Sequence, residues 1–388
     1  MQDRFMEEVQ TWSAEGHTPT GRSGHRISCS ESFLYCVGGY NPSCGPLQET
    51  WQLNLSTCEW EQISDPSNTP KASVSHCLTS CGRDLLMMGG TSFPFGSLLS
   101  SQVEACDVNT GQWRTLETSG HSPPQLYGQA VRRLGDNMYV VGGTSGYHFS
   151  MHAHALHLPT LTWTCLAPHG TLKDAEPQGR YRAEVGVVPG KLVVVGGADA
   201  YNVFFLDELP VLSLDTGKWE MVKTQPDPLV NAYPSPRRCH AAVQKDTELY
   251  VIGGTDGSEV QSDVWKLDLI YLTWTKVNLQ LPKPLYFHDA ALTKSGYLYV
   301  YGGLSSIGST DRSSTVYRAR LDTPPLLEAA WESFTSHCPA LKTTPSASST
   351  APTARDLLAA GVPRNLVLRL GNLKKGRTSN LKEERYDY

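Results

Sequence analysis

Two short stretches of this sequence concentrate arginine: Arg180-Tyr181-Arg182 and Arg237-Arg238-Cys239-His240. A guanidinium is a planar, permanently charged fork of donors that meets a carboxylate through two parallel hydrogen bonds. Tyr127 and Tyr286 stand in the comparable stretches Leu126-Tyr127-Gly128-Gln129 and Leu285-Tyr286-Phe287-His288, and Ser23 in Arg22-Ser23-Gly24-His25. Gathered around one cavity, Arg180, Arg182, Arg237, Arg238 and His240 with Tyr127, Tyr181 and Tyr286 suit an anionic ligand of modest size. A peptide C-terminal carboxylate is a natural choice. A structural role competes at each single arginine, because an Arg or His ahead of a strand also serves to hydrogen-bond a neighbouring element.

Patterns for covalent or metal chemistry are missing. There is no Gly-x-Ser-x-Gly elbow, no Walker loop and no pair of catalytic acids, which favours a binding protein over an enzyme. In a strand, His152 and His154 share one face and His157 takes the other. No carboxylate or cysteine at ligand spacing joins them, so they read as an outer strand, with no metal and no cofactor expected.

What could carry the arginines to one place is a repeat. Six apolar runs each end in two glycines: Phe33 to Gly39, Leu85 to Gly90, Met138 to Gly143, Leu192 to Gly197, Leu249 to Gly254 and Leu298 to Gly303. The first glycines are 51, 53, 54, 57 and 49 residues apart, and a period near fifty signals a repeat architecture. Each run is apolar without alternation, as in a strand buried on both faces. An alternating run follows, then a tryptophan about twenty residues after the glycines: Trp60, Trp113, Trp163, Trp219 and Trp274. One repeat thus reads as four short antiparallel strands, a to d, with b ending in the glycines and d holding the tryptophan.

A lone four-stranded sheet leaves both faces wet, whereas six packed radially bury them and leave few edges. The sixth repeat lacks its tryptophan, while Trp12 has no glycine pair before it. The segment from about Met6 to Ser13 is therefore expected to supply strand d of the last blade and close the ring. With the chain running up and down through each blade, the b–c loops and the d–a links share one face. That face should hold the arginines, with Tyr40 and Tyr147 joining from b–c loops.

The period, the double glycine, the tyrosine ahead of it and the later tryptophan resemble the kelch β-propeller family over roughly residues 5–322. The fold expected is all-β: a six-bladed kelch propeller (1–322) closed by an N-terminal strand, then a short helical segment (323–370) and a polar tail (371–388). A formal charge of −5 over 388 residues gives no support for nucleic-acid binding. No apolar run is long enough for a bilayer. Ten scattered cysteines without a CxxC pair fit reduced thiols in a cytoplasmic protein, or one that is also nuclear.

Beyond Pro324-Pro325 the strand pattern gives way to Leu326, Leu327, Ala330, Trp331 and Phe334, one apolar face of a helix. Pro325-Leu326 with Ala330 and Phe334 resembles a BC box, the elongin-C-binding helix of cullin-RING ligase receptors. Val362-Pro363 with Leu366 resembles a cullin-2 box. After a kelch ring, the two together resemble the kelch-domain substrate receptors of cullin-2 RING E3 ubiquitin ligases. That resemblance implies elongin B/C and cullin-2 with its RING subunit as partners. It also implies substrates whose C-termini end in glycine or another small residue, the carboxylate being held by Arg and Ser groups of the propeller face. An arginine placed directly after a glycine pair in a related family member is absent here, which leaves Arg182 and Arg238 for that task. A kelch scaffold that binds signalling or cytoskeletal partners through its loops is the other reading.

Overall fold

The structure is a computed structural model that describes residues 4–167, 177–321, 330–331, 333, 354–359, 362 and 366–367. Six antiparallel four-stranded sheets follow one another in sequence. Blade I comprises Arg26–Cys29, Phe33–Val37, Thr50–Asn54 and Trp60–Gln62 as strands a to d. Blade II comprises Val74–Cys81, Asp84–Thr91, Val103–Asp107 and Gln112–Leu116. Blade III comprises Ala130–Leu134, Asn137–Val141, Ala153–His157 and Thr162–Ala167, with Ser119–Gly120 added in parallel at its outer edge. Blade IV comprises Glu184–Val188, Lys191–Val195, Glu208–Ser213 and Trp219–Lys223. Blade V comprises Ala241–Lys245, Glu248–Thr255, Val260–Asp268 and Trp274–Gln280. Blade VI takes Asp289–Leu292, Tyr297–Tyr301 and Val316–Arg320 from the end of the ring and Glu7–Val9 from its beginning.

The packing explains why strand b does not alternate. In blade IV, Leu192 and Val194 join the core shared with blade III, while Val193 and Val195 join the core shared with blade V. Both faces of the strand are inside, so both must be apolar. The strand-d tryptophans Trp60, Trp163 and Trp274 are nearly or fully inaccessible. At ~25 cal/mol per Å² and roughly 150–250 Å² of ring surface, each contributes about 4–6 kcal/mol.

The glycine pairs knit each blade to the next. In every pair the second glycine donates its N–H to a carbonyl of the following blade's d–a link: Gly39 to Ser73, Gly90 to Leu126, Gly143 to Arg180, Gly197 to Arg237, Gly254 to Leu285 and Gly303 to Arg22. A Cβ on Gly38 would lie 2.2 Å from the Ser73 carbonyl oxygen, so a side chain there would push two blades apart.

The N-terminal strand closes the ring, with Glu7, Glu8 and Val9 opposite Arg318, Tyr317 and Val316. Trp12, however, does not fill the tryptophan slot. Leu53, Cys106, Leu156, Leu212 and Leu267 of the other c strands face their tryptophans. The same register in blade VI places Met6 beside Ala319, and Met6 is buried in the core shared by blades V and VI. Trp12 lies further on and donates its indole N–H to Thr57 of blade I at 3.0 Å. The strand expected from Met6 to Ser13 is thus shorter, and its anchor is a thioether.

Beyond the ring, helix α1 spans Ala354–Ala359. Ala330, Trp331, Leu366 and Val367 are also helical. Leu326, Leu327, Phe334, Pro363 and the 371–388 tail lie outside the described residues.

Candidate functional site

Each d–a link enters the upper face through one residue in the left-handed region. These are Gly24, Ser75, Gly128, Arg182, Cys239 and Phe287, with φ from +55° to +66°. Their amides form a closed circle. Gly24 N–H donates to Phe287 O, Ser75 to Gly24, Gly128 to Ser75, Arg182 to Gly128, Cys239 to Arg182 and Phe287 to Cys239, at 2.7–3.2 Å. Left-handed backbone costs about 1–2 kcal/mol at each non-glycine residue. It persists here because every ring amide and carbonyl is satisfied by a neighbouring blade.

This ring floors a cavity of about 300 Å³, walled by Ser23, Tyr40, Phe95, Tyr127, Tyr181, Tyr286, Leu304, Ser309 and Arg312. Gly24, Ser75, Arg182 and Phe287 of the ring itself line it. Arg182 crosses the floor. Its Nη2 donates to Ser75 Oγ, and its guanidinium sits 4.6 Å from the Phe287 ring centroid. A Cβ on Gly24 would stand 3.1 Å from Nη2, so the glycine there clears the lane in which the side chain lies.

Beneath the floor, Arg26 Nη1 bridges Glu184 Oε1 at 2.8 Å and Asp289 Oδ1 at 3.0 Å. Arg132 donates to the Val185 and Ala242 carbonyls, with Glu184 4.0 Å away. Three arginines thus meet two carboxylates along the axis, an excess of positive charge where solvent cannot screen it. Burial pulls the Arg182 pKa below its ordinary value. Among the described residues no carboxylate pairs with Arg182, Arg238 or Arg312.

Ser23, Tyr40, Tyr127, Tyr181, Arg182 and Tyr286 come together in the cavity as the sequence leads one to expect. Burial raises the phenol pKa of Tyr127, Tyr181 and Tyr286, keeping them neutral donors. Arg238 is half-buried at the rim, outside the cavity lining; its charge bears on Tyr181 and Tyr286.

Four expected residues do not reach the cavity. Arg237 is fully buried and spent on its own blade, donating to Ser235 O at 3.0 Å, Gly253 O at 3.0 Å and Asp263 Oδ1 at 2.8 Å. Arg180 repeats the device with Gln178 O and Gly196 O, its guanidinium 3.8 Å from the Phe204 ring centroid. Arg22 repeats it with Thr20 O, Gly38 O and Glu49. These arginines splint the link onto the first glycine of the same blade. His240 is buried one residue past the ring. Tyr147 is 98% exposed, out in solvent.

Arg312, Ser75 and Phe287 were not expected. Ser75 and Phe287 hold the ring position that Arg182 holds, so aligning the repeats would have found them. Arg312 comes from the b–c loop of blade VI, and no repeat signal marks it. It donates to Ser309 O and Thr310 O and reaches Ser23 Oγ at 3.4 Å.

In the helical segment Ala330 is exposed, whereas Trp331 and Leu366 are buried and Val362 is half-buried. Val362 N–H caps Leu357 O at 3.0 Å.

A six-bladed ring knitted by glycine pairs, with a cavity where its links converge, defines a kelch-repeat β-propeller, and the chain belongs to that family. The KLHDC2/KLHL20/DRC7 Kelch-repeats domain matches residues 3–197 and 171–361. Kelch domain-containing protein 10 of Rattus norvegicus is 34% identical over 351 residues, 87% of this chain and 85% of the relative. The Xenopus tropicalis protein of that name is 34% identical over 378 residues, covering 95% and 88%. The Drosophila melanogaster homolog is 32% identical over 390 residues, covering 92% and 62%.

Proposed function

We propose that this protein is the substrate-recognition subunit of a cullin-2 RING E3 ubiquitin ligase, working in the cytoplasm or also in the nucleus. The propeller's upper face reads C-terminal degrons ending in glycine or another small residue. The 323–370 segment recruits elongin B/C and cullin-2. The chain itself makes no bond; it raises the concentration of substrate near a ubiquitin-loaded partner.

The observation that carries this reading is Arg182: a buried guanidinium on the propeller axis, with no carboxylate paired to it among the described residues, at the floor of an aromatic-walled cavity. Burying a cation is costly unless an anion answers it, and a ligand carboxylate is that anion. Arg312 approaches Ser23 while Arg182 approaches the adjacent Gly24, so the two forks converge. Tyr127, Tyr181 and Phe287 crowd the floor, which favours a small terminal side chain.

The test is titration of a free C-terminal peptide against its amide. The free acid should bind at least tenfold tighter, since a charge-assisted bond is worth about 1.5–3 kcal/mol. Equal binding of acid and amide removes the carboxylate reading. For the ligase half, elongin C should co-purify with the wild type and be lost on Leu326→Asp or Ala330→Asp. Unchanged recovery from both variants overturns it. A scaffold role finds support in Tyr147 and Tyr201, 98% and 93% exposed on b–c loops of this same face. It predicts partners whose capture survives C-terminal amidation.

A further inference from the structure

A wall of three rings rises from the cavity between blades I and II. Tyr40 and Phe95, from the b–c loops of these blades, both line the cavity, with centroids 5.2 Å apart. Phe93 stacks on Tyr40 at 5.5 Å and meets Phe95 edge-on at 5.5 Å. Phe93 and Phe95 are 55% and 51% exposed. Their loop is held, not loose: Gly96 N–H donates to Thr91 Oγ1 at 2.8 Å and Ser97 N–H to Pro94 O at 3.0 Å. A clustered apolar patch beside a cavity, unlike scattered single residues, marks a contact surface.

We propose that this wall is a second subsite, which takes an aliphatic or aromatic side chain of the substrate a few residues upstream of its terminus. The proposal rests on the carboxylate reading, since it needs the terminus anchored on the axis. Side chains on one side of an extended peptide recur about every 6.6–7 Å, close to the 5.5 Å step from Phe95 to Phe93. A segment leaving the cavity past Phe95 therefore presents its next same-side residue to Phe93. The charge pattern selects apolar over basic side chains. The Arg312 guanidinium already stands 6.0 Å from the Tyr40 ring centroid, so an incoming Lys or Arg is repelled where a cation–π contact would otherwise attract it. A small terminal residue offers little surface of its own, and the upstream side chain supplies the discrimination.

The test uses the full chain and serine-rich decapeptides with a free terminal glycine. A single leucine is placed in turn at each of the six preceding positions. One or two positions should bind roughly tenfold tighter than the leucine-free peptide. Phe93→Ala should abolish that gain, leave the leucine-free peptide within twofold, and be rescued by Phe93→Tyr. Thermal unfolding should not change, because Phe93 is half outside. An affinity indifferent to leucine, or a Phe93→Ala loss equal for both peptides, overturns the subsite. Amidated versions separate the two ideas: acid preference without a Phe93 effect sinks only the subsite, while equal binding of acid and amide sinks the carboxylate reading and, with it, the anchored register the subsite needs.

Discussion

The guanidinium of Arg182 lies 4.6 Å from the ring centroid of Phe287, and the two occupy equivalent left-handed positions in blades IV and VI. One link thus supplies the charge and another the aromatic surface it rests on, inside the same circle of six backbone hydrogen bonds. Ring positions tolerate side chains only because the circle holds them, and glycine already serves at two of the six.

Arg182→Gly is for that reason an informative variant. It removes the fork, relieves a left-handed residue and takes away a buried, unpaired charge. Its melting temperature should equal or exceed that of the wild type, while affinity for a free-acid peptide falls tenfold or more. Arg182→Lys should weaken binding several-fold, because an ammonium lacks the planar fork. Calorimetry and fluorescence anisotropy on the same preparations check both. Wild-type affinity in Arg182→Gly would end the floor's role as carboxylate site.

Adjacent arginines should behave oppositely. Arg237→Ala leaves the Gly253 carbonyl unanswered and Asp263 with its Trp265 hydrogen bond alone, and losing a buried charged donor of this kind costs on the order of 2–4 kcal/mol. It should show as a large fall in the urea midpoint. Arg238→Ala removes a half-buried group that splints no element of its blade among the described residues, so stability should stay within about 0.5 kcal/mol while peptide affinity falls several-fold. Equal destabilisation by the two would contradict the division between splint and rim.

The fold was legible because one pattern recurs: a buried b strand with its glycine pair six times, and the later tryptophan five times. The cavity was only partly so. Arg237 and Arg238 are neighbours in sequence, yet one points into its blade and the other to the rim, since successive residues of a link face opposite ways. Composition alone does not tell which. Arg22, Arg180 and Arg237, aligned by repeat, share a place two residues ahead of the ring. Arg182 stands in the ring itself, and that register is what separates splint from floor. Arg312 was illegible because the b–c loops differ in length and sequence from blade to blade, so no repeat signal marks its position.

The closure of the ring hangs on Met6. It occupies the slot that holds tryptophan in the other five blades and is 3% exposed. Met6→Ala should cost about 2–5 kcal/mol, as for other buried methionines cut to alanine. Trp12→Ala, half-buried with one indole hydrogen bond, should cost less. Removing residues 1–9 strips blade VI of strand d and should lower the melting temperature more than either. A Trp12→Ala effect exceeding that of Met6→Ala would restore Trp12 as the anchor.

Four buried histidines, each one residue past the ring, give the propeller a calculable acid limit. His25, His76, His240 and His288 are held neutral by burial, reinforced by Arg22, Arg26 or Arg237 nearby. His76 is pushed down to about 3 and His288 to about 4, with His25 and His240 well below the ordinary value. In the unfolded chain they protonate near pH 6.5. Below that pH the unfolded state binds more protons than the folded one, so stability is full above about 6.5 and falls as the solution is acidified towards 4. The slope approaches about 1.4 kcal/mol per pH unit for each histidine. Blade III carries Gln129 at the same place, so glutamine is compatible with the site, and His288→Gln should fold and lose about one proton from the slope. Urea melts at intervals from pH 7.5 to 5 measure it. A stability that does not change across that range would mean these imidazoles are not held neutral in the ring.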